Sequence, residues 1–201
     1  MKDARACRAR RYSRIQELVL KYATFWRRFW AGLVDGLVFL PLTVLDGYLT
    51  APARGPFVLI VWGVISYSMY WVYSVWLHAR YGQTLGKMAT GCRVLDLSEE
   101  RTPSLRQAFI RDSGYILLNT LSLTWFIYLV TVGRYDSQTE LYGPGALLAY
   151  ASTGWFLLEV VTMLTNSKRR AFHDFLARTV VVRSSLSPAP GDSQTHLAIQ
   201  P

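Results

Sequence analysis

Apolar residues along this chain are gathered into four long runs that are separated by polar, largely basic segments. The runs cover residues 29–49, 57–77, 114–132 and 145–164. Each run is long enough to cross about 30 Å of hydrocarbon as an α-helix, and the second contains no charged residue. The pattern therefore predicts an all-α membrane protein with four transmembrane helices.

Amphipathic stretches flank these runs. Leu105, Phe109 and Ile110 share one face of a predicted helix that starts near Pro103. Arg106, Gln107 and Arg111 form its opposite, polar face. We expect this helix to lie along the inner leaflet of the membrane before the third span begins. Residues 1–24 form a basic arm in which apolar positions recur at helical spacing. This arm either lies as a cytoplasmic helix on the lipid headgroups or stays a mobile basic segment.

Two stretches outside the spans are typical of β-strands. Residues 93–97 and 179–182 are rich in β-branched and other apolar side chains. Because one strand is not stable alone, we expect the two to pair as a small two-stranded sheet on the cytoplasmic side. The tail at 184–201 is rich in Ser, Pro, Gly and Gln and is expected to be disordered. The predicted organisation is thus a basic arm, a membrane domain at 25–183, and this tail.

Charge is distributed unevenly among the loops. The chain is 51% hydrophobic and 17% charged, with a net charge of +9, whereas soluble domains average about 25% charged residues. Of the 22 Lys and Arg, nine precede Phe29, six lie between the second and third runs and five follow the fourth. The two remaining loops hold one each, Arg54 and Arg134. This bias predicts a multi-pass protein with both termini and the long middle loop in the cytoplasm. We expect the membrane to be the bacterial inner membrane.

The same distribution bears on partners. A basic face at the membrane surface attracts anionic lipid headgroups, so the bilayer itself is the first expected partner. Nucleic acid is not expected, because the basic residues follow the topology rather than forming a binding motif.

Arg27 and Arg28, ahead of the first run, resemble a twin-arginine export signal. The run continues to Leu49 and contains Asp35 and Pro41, so it is longer and more polar than a signal core of about 7–15 residues. We therefore expect a retained transmembrane helix.

No residue pattern points to a cofactor, a metal or an enzyme activity. The loop at residues 82–87 has three residues between its glycines, whereas a phosphate-binding P-loop needs four, with Ser or Thr after the lysine. We expect a tight turn at the headgroups instead, with Lys87 facing phosphate. Cys7 and Cys92 both fall on the predicted reducing side, so a disulfide is not expected.

Three polar side chains lie inside the spans at one predicted depth. Asp35, Asn119 and Glu159 fall roughly 7–10 Å below the inner boundary at a helical rise of 1.5 Å per residue. An ionisable group near mid-bilayer costs about 2.5–3.5 kcal/mol, which favours a specific use for it. Because lipid cannot solvate such groups, we expect a polar layer inside the bundle. Tyr70 and Tyr73 lie at the depth of Asp35 and are its candidate hydrogen-bond donors.

Several short motifs occur along the chain in a fixed order. They are Arg28-xx-Ala31-xxx-Asp35, Gly82-Gln-Thr-Leu-Gly-Lys87 with Val94-Leu-Asp96, Arg106-xxxx-Arg111, and His173-Asp174-xx-Ala177-x-Thr179-Val-Val. The ordered set resembles the signature of the RDD family of small membrane proteins over about Phe25 to Arg183. The resemblance implies that Arg28, Asp35 and Asp174 are the arginine and the two aspartates after which the family is named. It also implies cytoplasmic termini, and a function in ligand or cation/proton transport or as an accessory subunit of a membrane complex.

Two functions stay open at this point, with transport slightly preferred because Asp35 and Glu159 are both ionisable. In the first, Asp35 and Glu159 converge and exchange a small cation for a proton, with Arg28 or Arg111 as an alternative partner for one acid. In the second, the polar layer fixes helix register in a non-enzymatic scaffold or assembly factor that binds a partner membrane protein or anionic lipid. Asp174 then either caps a local turn or pairs with an arginine such as Arg28. Either function favours a homo-oligomer or a complex with a partner membrane protein.

Overall fold

The computed structural model describes residues 20–51, 53–136 and 143–184. In chain order its elements are α1 (Phe25–Leu49), α2 (Pro56–Tyr81), α3 (Leu85–Thr90), β1 (Cys92–Asp96), α4 (Leu105–Thr131), α5 (Pro144–Thr165), α6 (Phe172–Leu176) and β2 (Thr179–Arg183). Helices α1, α2, α4 and α5 are each long and apolar enough to cross a membrane, which confirms the predicted four-helix fold. Most of the predicted arm, and all but the first residue of the predicted tail, lie outside the described residues.

The third span begins earlier than predicted. The expectation of a separate helix along the leaflet, followed by a new span near residue 114, is wrong, since α4 runs unbroken from Leu105 to Thr131. A capping box starts the helix, with Ser104 and Gln107 each bonding the other's backbone N–H. Gly114 lies inside this helix, and a Cβ there would meet the indole of Trp155 at 2.2 Å. The glycine therefore allows α5 to pack closely on α4.

The long helices pack as an uneven bundle. Helix α2 packs most extensively on α4, and α5 packs on α4. Leu59, Phe126 and Val130 form a buried apolar cluster near the start of α2 and the end of α4. Helix α1 packs on α3 and on α2, but α1 and α5 are not among the closely packed pairs of the described elements. A gap between α1 and α5 is the consequence.

The two predicted strands pair as expected. Strands β1 and β2 form an antiparallel two-stranded sheet in which Val94 lies opposite Val181. Val180 and Leu95 pack with Tyr22 in a small buried cluster, so the segment before α1 is held against the sheet. We call this end of the bundle, which also carries α3 and α6, the sheet-bearing end.

One carboxylate joins three segments at the sheet-bearing end. Glu99, in the turn after β1, accepts hydrogen bonds from Lys21 at 2.7 Å, Lys168 at 2.8 Å and Tyr22 at 2.5 Å. Burial alone would raise its pKa, but the bonds from Lys168, Lys21 and Tyr22 lower the pKa of Glu99 to about 2. Glu99 therefore links the segment before α1 to the segment after α5.

Replacing Glu99 with glutamine is expected to lower stability at pH 7 but not at strongly acid pH. A lowered carboxyl pKa stabilises the fold fully above the ordinary value of 4.5, and this stabilisation is lost as the pH falls toward 2. Since the lysines are partly exposed, we expect about 1 kcal/mol or less for each pair. The measurement is the melting temperature in detergent of wild type, Glu99→Gln and the exposed control Glu100→Gln at pH 7 and pH 3. If the melting temperature of Glu99→Gln lay as far below wild type at pH 3 as at pH 7, the stabilising role of the ionised Glu99 would be contradicted.

Candidate functional site

Asp35 is enclosed by hydrogen-bond donors from two other elements. Its Oδ1 accepts from the Tyr73 hydroxyl at 2.7 Å and from the Gly86 backbone N–H at 2.8 Å. Its Oδ2 accepts from the Thr84 hydroxyl at 2.7 Å. The Tyr73 oxygen in turn accepts from the backbone N–H of Leu85 at 2.9 Å. Asp35 therefore attaches the start of α3 to the side of α1.

Gly86 makes this attachment sterically feasible. A Cβ at this position would lie 2.0 Å from the carbonyl oxygen of Ala31 and 2.9 Å from Cγ of Asp35. Helix α3 thus packs directly on the backbone of α1. This contact explains the second glycine of the 82–87 motif, which the comparison with a P-loop does not. The expectation that Lys87 lies in a turn and faces phosphate is wrong. Lys87 lies in α3, with its Nζ 3.0 Å from His78 Nε2. Burial, together with the charges of Arg111 and Arg28, lowers the pKa of Lys87 to about 8.

Asp174 is the centre of a second cluster. Its side chain is fully buried and lies 2.8 Å from Nη1 of Arg28 and 3.3 Å from Nη2 of Arg111. The same carboxylate accepts from the backbone N–H of Ala171 at 2.9 Å, at the start of α6. Both roles foreseen for Asp174, the local cap and the pair with Arg28, are therefore present. The cluster joins α1, α4 and α6.

His173 connects the arginines to the acid of α5. The Nη2 atoms of Arg28 and Arg111 lie 3.3 Å and 3.0 Å from His173 Nε2. Because arginine only donates hydrogen bonds, Nε2 accepts and the ring proton sits on Nδ1. Nδ1 then donates to Oε1 of Glu159 at 2.5 Å. The imidazole thus links the two arginines to the Glu159 carboxylate.

Glu159 has two further donors. Its Oε1 accepts from the Trp155 indole N–H at 2.8 Å, and its Oε2 accepts from the Tyr115 hydroxyl at 3.1 Å. Like Asp35, this carboxylate therefore has three protein donors.

A cavity of about 360 Å³ lies between the two clusters. The structure places Arg28, Asp35, Tyr70, Asn119 and Glu159 on its wall. The two acids share the cavity but bond to separate sets of donors. The amide of Asn119 donates to a carbonyl of its own helix at 2.9 Å, and Tyr70 is 47% exposed. Only part of the predicted polar layer is therefore directly connected by hydrogen bonds.

Several residues of the site were missed as site residues by the sequence prediction. Thr84, Gly86, Lys87 and His78 belong to the α3 attachment, and His173 belongs to the second cluster. The motifs contained a usable signal, since Thr84, Gly86 and His173 all lie inside them. Their contacts with Asp35 and Glu159 could not be read from spacing along the chain.

The fold and site together define a polytopic membrane protein whose sheet-bearing end is fixed to the helices by buried ionic groups. The family model described as RDD family matches residues 22–178. The chain belongs to the RDD family, which confirms the resemblance seen in its motifs. It is also similar to the uncharacterized membrane protein YteJ of Bacillus subtilis (strain 168), with 28% identity over 176 residues that cover 82% of this chain and 83% of that protein. No solved structure matches the chain.

Proposed function

We propose that this protein is a non-enzymatic membrane scaffold whose sheet-bearing end faces the cytoplasm and binds anionic lipid or a partner membrane protein. The observation that carries the proposal is the enclosure of Asp35 by Tyr73, Thr84 and Gly86. A carboxylate with three protein donors holds two elements together. The orientation rests on the excess of Lys and Arg in the segments at that end.

The bonding of the acids favours a structural role over ion exchange. A site for a small cation needs several oxygen ligands whose lone pairs are free. Asp35 and Glu159 each accept three hydrogen bonds from protein donors, which leaves few free lone pairs for a cation. Arg28 and Arg111 line the same cavity and would repel a cation there.

Exposed basic residues at the sheet-bearing end support the proposed contact with anionic lipid. Arg80, Arg101, Arg106 and Arg178 are exposed there. Basic residues near a membrane surface contribute about 1 kcal/mol each to the attraction of anionic lipid. An exposed basic face at this end is what a scaffold of this kind requires.

Anionic lipid is expected to stabilise the wild type through this face. We expect phosphatidylglycerol to raise the melting temperature in detergent more than phosphatidylcholine does. The triple variant Arg80→Gln, Arg101→Gln, Arg106→Gln is expected to lose most of that difference, because it removes three exposed charges. The control is a double variant with glutamine at Arg54 and Arg134, which lie in the loops at the opposite end. Equal responses of the wild type to the two lipids would contradict the proposal.

Transport of a small cation coupled to protons is the second candidate, and the shared cavity favours it. Asp35, Asn119 and Glu159 all lie on the wall of that cavity. Proton-driven uptake of Na⁺ or K⁺ into proteoliposomes that is lost in a folded Asp35→Asn variant would establish this candidate. The same loss should not occur in Asp46→Asn, whose acid accepts a hydrogen bond from Trp62 at 2.7 Å near the opposite end.

A further inference from the structure

The cavity opens sideways between two helices. Helices α2 and α4 form its back, α3 and α6 contribute Lys87 and His173 from the sheet-bearing end, and α1 and α5 form its two edges. At those edges Phe29 is 47% exposed and Phe156 is 53% exposed. Since α1 and α5 are not closely packed on each other, the gap between them faces the lipid at this depth. A ligand can therefore enter from the side of the bundle.

Two adjacent residues of α4 line this cavity, and each has a buried polar atom without a hydrogen-bond partner among the described residues. Arg111 is only 3% exposed, yet its Nη1 makes no hydrogen bond with any described part of the chain. Oδ2 of Asp112 is likewise buried without a hydrogen-bond partner among the described residues. Both residues line the cavity. Leaving a buried donor or acceptor atom without a hydrogen bond is costly, so such atoms are rare in folded proteins and indicate a missing partner.

The charges around the cavity are balanced. Arg28, Lys87 and Arg111 line it together with an equal number of acids, Asp35, Asp112 and Glu159. A simple anion would therefore lie beside carboxylates, and a simple cation would lie beside arginines. A molecule that carries both charges a short distance apart satisfies both sets.

We infer that the cavity binds a zwitterion with a primary ammonium beside an anionic phosphate or carboxylate. The anionic oxygen accepts a hydrogen bond from Arg111 Nη1, and the ammonium donates to Oδ2 of Asp112. The headgroup of an ethanolamine phospholipid that enters between α1 and α5 has this chemistry, and so has a free amino acid. A volume of about 360 Å³ is sufficient for either. This assignment goes beyond the scaffold proposal and does not depend on it.

Headgroup chemistry provides the test. Purified wild-type protein is titrated with short-chain phospholipids of one acyl composition that carry ethanolamine or choline, and separately with soluble phosphoethanolamine and alanine. We expect the ethanolamine lipid to bind about tenfold more tightly than the choline lipid, whose quaternary nitrogen has no N–H to donate to Asp112. Tighter binding of the lipid than of both soluble compounds identifies a lipid headgroup as the ligand, and the reverse order identifies a free zwitterion.

A variant of Asp112 separates binding from folding. Arg111 also bonds His173 and pairs with Asp174, so its replacement is expected to damage the fold. Asp112→Asn should keep the wild-type melting temperature and lose the preference for ethanolamine over choline, whereas the control Asp96→Asn should keep that preference. The inference would be overturned if the wild type bound the two lipids equally and bound neither soluble compound. It would also be overturned if Asp112→Asn kept the preference for ethanolamine over choline. Because these lipids carry no net charge, the outcome is independent of the phosphatidylglycerol test.

Discussion

Replacing Asp174 with asparagine is expected to cost about 3–5 kcal/mol, the usual penalty for breaking a buried ion pair by removing one partner. The substitution keeps the shape of the side chain but leaves Arg28 and Arg111 without their common counter-charge. Burial alone would raise its pKa, yet those two arginines hold the pKa of Asp174 well below its ordinary value. The carboxylate is therefore ionised at neutral pH, and its charge is what the arginines require. The measurement is the melting temperature of the purified protein in detergent.

The control for this variant is an acid at the same end with weaker contacts. Asp96→Asn changes a residue whose side chain accepts a hydrogen bond from Ser98 in an exposed turn at 2.7 Å. We expect it to lie within about 1 kcal/mol of wild type. A melting temperature of Asp174→Asn that matches Asp96→Asn would show that the arginines find other partners, and would refute the central role of Asp174.

Adding one methyl group at Gly86 is expected to separate α3 from α1. In Gly86→Ala the new Cβ would lie 2.0 Å from the carbonyl oxygen of Ala31, which belongs to the backbone and cannot rotate away. We expect a loss of about 3 kcal/mol, at the upper end of overpacking effects. The melting temperature reports the loss, and faster proteolysis of the segment between α2 and α4 reports its location.

Two glycines of α1 are matched controls. Apart from neighbouring residues of α1 itself, no described atom lies within 4 Å of a Cβ built on Gly32 or Gly36. The close helix contact that this small-residue pair suggests is therefore not made within the described chain. Alanine at either position should be neutral or should stabilise α1 by up to about 1 kcal/mol, because glycine is a poor helix former. If Gly86→Ala were as stable as these variants, the direct contact between α3 and α1 would be disproved.

Hydropathy was sufficient to predict the four long helices, and β-propensity was sufficient to predict the two strands, because both are local properties of the chain. The boundary of α4 was not predictable in this way. Arg106 and Arg111 looked like the polar face of a helix on the membrane surface, but Arg111 is buried against Asp174 and His173 instead. Since ionic partners from α6 compensate its charge, the helix continues into the span without a break.

The partners of the buried acids were only partly predictable. The predicted depths of Tyr73 and Asp35 in the membrane correctly suggested their contact. Because a short loop joins α1 and α2, residues at equal distances from that loop lie at similar depths. The contacts of Glu159 with His173, and of Asp35 with Thr84, depend on how α6 and α3 fold back on the bundle. Hydrophobic periodicity contains no information about that return.

The order of the contacts along the chain has a consequence for biogenesis. Asp35 finds Tyr73, Thr84 and Gly86 within the first 90 residues, so this half of the architecture can assemble while the ribosome is still synthesising α4. Strand β1 has no mate until β2 emerges, after all four hydrophobic helices have been made. Closure of the ionic cluster around Asp174 is thus a late event, because it needs residues that follow the last of the four hydrophobic helices.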